Sequence, residues 1–123
     1  MIKGIGIDIV EVERIREAIE KYKNRFSNKI FTEEEINYSL EFKGKEYMHL
    51  AARFAVKEAF SKAIGTGITQ GFRFREISVR NLPSGEPILI LSGNMREKYG
   101  QYQFHISISH TDTNAVAVVV MEE

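Results

Sequence analysis

The chain of 123 residues contains no cysteine, which excludes thiol nucleophiles, CxxC redox chemistry and thiolate metal sites. It has no excess of either charge. Its 17 Lys and Arg face 17 Asp and Glu, which argues against gross electrostatic capture of nucleic acid or membrane and leaves local patches to be found. No apolar run approaches the roughly 20 residues of a membrane span, and Met1-Ile2-Lys3-Gly4 does not open a signal peptide's long apolar stretch. A cytoplasmic protein is the expectation. No internal repeat, low-complexity tract or flexible linker divides the chain, so residues 1–123 read as one domain, long enough to bury roughly two thirds of the surface its unfolded form exposes.

What is present is strong patterning. Ile5, Ile7 and Ile9 alternate with Gly4, Gly6 and Asp8, giving a strand over residues 4–10 with one greasy face. Val12, Ile15, Ile19, Tyr22 and Phe26 recur every three or four residues and predict a helix over 12–25, with Arg14, Lys21 and Arg25 on its outward stripe. Thr32 followed by Glu35 has the capping-box form and starts a short helix. The longest helical signal runs from Lys45 to Ile64, carries five alanines and stops at Gly65-Thr66-Gly67. Met48, Ala52, Ala55, Val56, Ala59, Phe60 and Ala63 crowd one half of it. Arg53, Lys57, Glu58, Ser61 and Lys62 share the other half, which is open to be a site. Residues 74–79, 87–91, 104–109 and 115–121 read as strands, and 92–99 as a short helix capped by Ser92. The class is α+β, a largely antiparallel sheet packed around a long central helix.

Three groups of residues could carry chemistry. Asp8, on the glycine-flanked face of an apolar strand, must be solvated, hydrogen-bonded, metal-bound or a cap for the next helix. Glu58 and Lys62 lie one turn apart, and a plain surface ion pair is the simplest reading of them. Their setting, on the most apolar helix and before a Gly-Thr-Gly turn whose backbone suits a phosphate, favours phosphoryl handling. His105, Ser107 and Ser109 alternate outward from a strand ending in His110-Thr111. They can donate to phosphates or simply decorate a solvated face, and the two histidines offer no third partner for zinc. The basic residues of the first helix, joined by Arg16 and Lys23, suit an acidic protein partner; the interspersed Glu13, Glu17 and Glu20 make nucleic acid a poorer reading.

Gly-Ile-Gly-Ile-Asp8-Ile-Val, the segment Arg53-Phe54-Ala55-Val56-Lys57-Glu58-Ala59-Phe60-Ser61-Lys62-Ala63-Ile64-Gly65-Thr66-Gly67, Ser84-Gly85-Glu86-Pro87 and Ser107-Ile108-Ser109-His110-Thr111 together resemble the holo-[acyl-carrier-protein] synthase family of 4'-phosphopantetheinyl transferases. The likeness covers essentially the whole chain. Val56 stands where the family more often has alanine, and Glu86 replaces a frequent basic residue of the Gly-x-Pro turn. The resemblance implies transfer of 4'-phosphopantetheine from coenzyme A to a serine of apo acyl carrier protein, releasing adenosine 3',5'-bisphosphate, in fatty acid biosynthesis. By similarity Asp8 and Glu58 hold Mg2+ on the pyrophosphate, Lys62 steadies the developing charge, and Glu58 takes the serine proton directly or through a metal-bound water. The family likeness also implies nucleotide contacts from Arg53, Ser61, Lys62, Gly65, Gly85, Pro87, Ser109, His110 and Thr111. It implies a homotrimer whose interfacial sites borrow His110 from a neighbour, and docking of acyl carrier protein on Arg14, Lys21 and Arg25, without nucleic acid or membrane.

Two other readings use the same residues. A non-catalytic coenzyme A or nucleotide-binding module would need no paired carboxylates, which repel a polyphosphate without a cation. An adaptor for acidic proteins would leave Ser61-Lys62 and Gly65-Thr66-Gly67 without a purpose.

Overall fold

In the computed structural model, which describes residues 1–69 and 71–123, a three-stranded antiparallel sheet lies against one long helix. Strand β1 (Ile2–Glu11) pairs with β5 (Asn114–Glu122), which pairs with β4 (Gln103–His110), in the order β1-β5-β4. The register sets Gly6 opposite Val119 and Asp8 opposite Ala117. Between the strands run α1 (Val12–Tyr22), α2 (Asn24–Ile30), α3 (Glu33–Leu40) and the 18-residue α4 (Glu46–Ala63). A second, two-stranded antiparallel sheet, β2 (Ile77–Asn81) with β3 (Pro87–Leu91), and α5 (Gly93–Tyr99) complete the order. The α+β class holds, with the antiparallel pairing divided between two sheets.

The glycine face of β1, not its isoleucine face, meets the core. A Cβ on Gly4 would run into the carbonyl oxygen of Ala63, and one on Gly6 into that of Ala59, so α4 lies directly on the strand backbone. Ala115, Ala117 and Val119 of β5 continue this buried surface under α4, and Phe60 fills its centre against Phe72, Tyr99 and Phe104. On the opposite face Ile5, Ile7 and Ile9 remain 61–68% exposed beside Val116, Val118 and Val120.

Three expectations need correction. The helix anticipated over 12–25 breaks at Lys23, whose φ of 51° is left-handed, so Arg25 and Phe26 sit on α2 rather than extending the stripe of α1. The strand anticipated from residue 74 begins at Ile77, after a single 3-10 turn over Phe74–Glu76. Ser92 precedes α5 without a side-chain cap; the Glu76 carboxylate accepts from the Met95 N–H at 3.1 Å instead. The capping box forms as expected: Thr32 Oγ1 accepts from the Glu35 N–H at 3.1 Å and Glu35 Oε1 from the Thr32 N–H at 3.0 Å.

Candidate active site

The close approach of α4 to β1 brings Asp8 to the helix face that carries Glu58 and Lys62. Lys62 Nζ donates to Asp8 Oδ1 at 3.1 Å and to the Ile7 carbonyl at 2.9 Å. Glu58 is half-buried. Its burial, reinforced by the nearby Asp8 charge and opposed by Lys62, raises its carboxyl above the ordinary carboxylate range. Two carboxylates near enough to repel, with one lysine paired to Asp8, form an arrangement that a cation would relieve. Asp8 and Glu58 line a cavity of about 320 Å³ with Phe26, Phe54, Ile15 and Arg14. The lining thus combines two carboxylates, apolar side chains and one guanidinium. Among the described residues no group of three or more His, Asp or Glu side chains gathers, so a cation here would complete its shell from water and ligand oxygens.

The polar half of α4 is not one open site, contrary to the sequence expectation. Arg53, Lys57 and Ser61 are buried. Lys57 Nζ donates to Glu35 Oε1 at 2.7 Å and to the carbonyls of Ile30 and Phe74, which makes it a core group. Ser61 Oγ donates to the Glu58 carbonyl at 2.6 Å, turning the hydroxyl toward its own helix rather than the cavity. Only Glu58 and Lys62 of the five reach the Asp8 side.

Arg53 belongs to a different place. Its guanidinium lies over the Tyr38 ring at 4.4 Å and donates to Asn81 Oδ1, while its Nε is buried without a partner. Arg53, Tyr38, Asn81 and Arg80 line a second cavity of about 480 Å³. On the same stripe of α4, His49 meets His110 of β4, ring centroids 5.9 Å apart. His49 and Glu58 are nine residues apart, which at 3.6 residues per turn puts them on opposite faces of α4 and about 13 Å apart along its axis. Within one chain, then, the histidine end of β4 and the carboxylate pair do not face each other.

The remaining candidates are turn and surface groups. Gly65 and Gly67 have φ of 87° and 65° and make the exposed turn after α4. Gly85, at φ 93°, turns the chain into β3, which begins at Pro87, and Asn81 donates to its carbonyl at 3.0 Å. Ser109 is exposed at the end of β4, and Thr111 Oγ1 accepts from the Asn114 N–H at 3.1 Å, bracing the turn beside His110. His105 pairs with Glu122 at 2.8 Å at the far end of the strand. On α1 and α2, Arg14, Lys21 and Arg25 make no ion pair among the described residues, whereas Arg16 is taken up by Glu13 and Glu20. Sequence reasoning passed over His49, Phe54, Tyr38 and Asn81; the spacing Lys45, His49, Arg53 was the available sign of a second stripe.

A carboxylate pair with an adjacent lysine stands where a helix presses on a glycine-bearing strand. The sequence profile of the 4'-phosphopantetheinyl transferase superfamily matches residues 4–120, and the chain belongs to that superfamily. It is 47% identical over 126 residues to a holo-[acyl-carrier-protein] synthase of Halothermothrix orenii, covering 100% of this chain and 99% of the relative. It is 46% identical to one of Clostridium kluyveri, covering 99% and 91%. The fold matches a crystal structure of a holo-(acyl-carrier-protein) synthase from Bacillus anthracis in complex with CoA (3',5'-ADP), with a TM-score of 0.84 and 45% identity over 100% of this chain and 98% of that one.

Proposed function

We propose that this chain is a single phosphopantetheinyl transferase domain over residues 1–123, working in the cytoplasm in fatty acid biosynthesis. It moves 4'-phosphopantetheine from coenzyme A to a serine hydroxyl of apo acyl carrier protein. The observation that carries the reading is the Asp8–Glu58 pair beside Lys62, on a cavity that Arg14 also lines, in a member of this superfamily. The serine oxygen forms a bond to the phosphorus that bears the pantetheine. The bond from that phosphorus to the oxygen of the nucleotide phosphate breaks, and adenosine 3',5'-bisphosphate leaves.

Asp8 and Glu58 are the groups that would hold Mg2+, since two hard carboxylate oxygens leave room for waters and phosphate oxygens. When bound, the cation neutralises pyrophosphate charge. Lys62, held by Asp8 and the Ile7 carbonyl, would steady the charge that builds on the leaving phosphate. Glu58 would take the serine proton, directly or through an intervening water. Arg53, with Asn81 and the Gly85–Pro87 turn, and His110 with Ser109 and Thr111, are the nucleotide-side groups, while the Gly65 turn faces phosphate. The Ser61 hydroxyl, donating to the Glu58 carbonyl, braces the helix end beside the site.

We infer further that the chain works as a homotrimer with sites at its interfaces. The number three comes from the family likeness. Support for assembly comes from the exposed Ile5, Ile7, Ile9 and Val116, Val118, Val120 face, and from the placement of His110 on the side of α4 away from Glu58. A site containing both groups needs two chains. The basic residues Arg14, Lys21 and Arg25 receive the acidic carrier.

The test is intact mass spectrometry of an apo acyl carrier protein incubated with this protein, coenzyme A and magnesium, with a chelator and Glu58→Gln as controls. Gain of one phosphopantetheine, abolished by both controls, is expected. No gain with several carriers, from folded protein that binds coenzyme A, would leave the non-catalytic binding module.

A further inference from the structure

His49 takes no part in the chemistry described above, yet it stands at the centre of a run of stacked rings. Its imidazole stacks on Phe42 with centroids 4.0 Å apart and planes 27° apart, and meets the Tyr38 ring edge-on at 5.8 Å. On its other side it meets His110 at 5.9 Å with the planes at 63°. His49 is half-buried on α4, Tyr38 lies on α3, Phe42 follows that helix, and His110 is the last residue of β4. One ring therefore joins three parts of the chain.

His110 is exposed, and among the described residues its ring makes no hydrogen bond. A side chain at an open strand end otherwise samples several rotamers, and a ligand must offset the cost of fixing one. Among the described residues, the edge-to-face contact with His49 is the aromatic contact of this ring.

We propose that His49 is a positioning residue: packed on the adjoining rings of Phe42 and Tyr38, its ring holds the His110 imidazole in the orientation that meets a phosphate of the nucleotide. This rests on the reading of His110 as a phosphate contact. The ring of His49 acts, not its charge. Lys45, just before α4, Arg53 on α4 and His110 on β4 all face it, Tyr38 and Phe42 are uncharged, and burial, followed by the positive charge of Arg53, lowers its pKa from 6.5. His49 is thus neutral at pH 7.5, and phenylalanine can replace it.

The experiment is calorimetric titration of adenosine 3',5'-bisphosphate into the full chain at pH 7.5, for the parent, His49→Ala, His49→Leu, His49→Phe, His110→Ala and the double variant His49→Ala with His110→Ala. Both His49→Ala and His49→Leu should bind roughly 3- to 10-fold more weakly, the range that one aromatic pair supports. His49→Phe should stay within about twofold of the parent. The double variant should be no weaker than His110→Ala alone, because His49 acts through His110. In turnover, His49→Leu should raise KM for coenzyme A while kcat is kept. Losses that multiply in the double variant, or unchanged binding by His49→Leu when His110→Ala is weakened, overturn the positioning role. Unchanged binding by His110→Ala overturns the phosphate reading of His110, and the positioning role falls with it.

Discussion

The Lys57 ammonium and the Glu35 carboxylate sit 2.7 Å apart with both side chains wholly buried. Both groups are satisfied further: Lys57 also donates to the Ile30 and Phe74 carbonyls, and Glu35 also accepts from the N–H groups of Val79 and Thr32. Burial pushes the lysine pKa down and Glu35 opposes that shift, which keeps the pair charged only as a pair. Lys57→Met or Glu35→Gln should each cost about 3–5 kcal/mol, because each strands a desolvated partner. Denaturant unfolding measures it. A loss under about 1 kcal/mol for Lys57→Met would show that the pair does not hold α4 against α3 and β2.

Glu58 is placed at an energetic disadvantage that its role would explain. Its folded-state pKa is raised by burial and Asp8, so between the unfolded and folded values the native chain binds more protons and stability falls as pH rises. Glu58→Gln should therefore raise the melting temperature of metal-free protein at pH 7, while abolishing transfer. The gain should vanish below about pH 4, where the carboxyl is protonated in both states. A melting temperature unchanged at both pH values would remove the basis for a strained base here. Side-chain carboxyl NMR gives a second reading: Lys62→Met removes the opposing cation and should move the Glu58 titration further up.

The uncovered sheet face makes a prediction about assembly. Ile7 stands between Ile5 and Ile9 and opposite Val118, 61% exposed in the single chain. Ile7→Glu should leave the circular dichroism spectrum intact, since the side chain points away from the core, yet shift the sedimenting species from oligomer to monomer. Turnover should fall with it. A variant that stays oligomeric places the interface elsewhere.

Much of this was legible in the residues, and what was not has physical causes. The β1 motif, the capping box and α4 follow from local chemistry: alternation, a Thr–Glu reciprocal cap, and an alanine-rich run closed by glycines. Periodicity separates the polar half of α4 but does not tell a buried ion pair from an open cleft, because the partner of Lys57 is 22 positions away. The break at Lys23 has no residue-type signal, lysine being an uncommon host for positive φ. Glu76 outcompetes Ser92 at the start of α5 for a similar reason, a contact between distant segments overriding a local one. Asp8, Glu58 and Lys62 were readable as a group, and the structure brings them together; His110 was readable too, but its place beyond the far face of α4 appears only in three dimensions.

Arg14 connects the basic surface to the cavity. Its side chain lines the same 320 Å³ space as Asp8 and Glu58, and it is free of the ion pairs that engage Arg16 on the same helix. An acidic carrier drawn to Arg14 would thus present its serine beside the carboxylate pair, whereas Arg25, beyond the break at Lys23, contributes at longer range. Arg14→Glu should raise KM for the carrier about tenfold at low salt with KM for coenzyme A unchanged, and Arg25→Glu should do less. Raising the ionic strength to about 1 M, where the Debye length is near 3 Å, should narrow the gap between Arg14→Glu and the parent. Steady-state kinetics measures these quantities, with the carrier varied at fixed coenzyme A and then coenzyme A varied at fixed carrier. Equal effects on both substrates would mean that Arg14 supports the cavity itself and does not receive the partner.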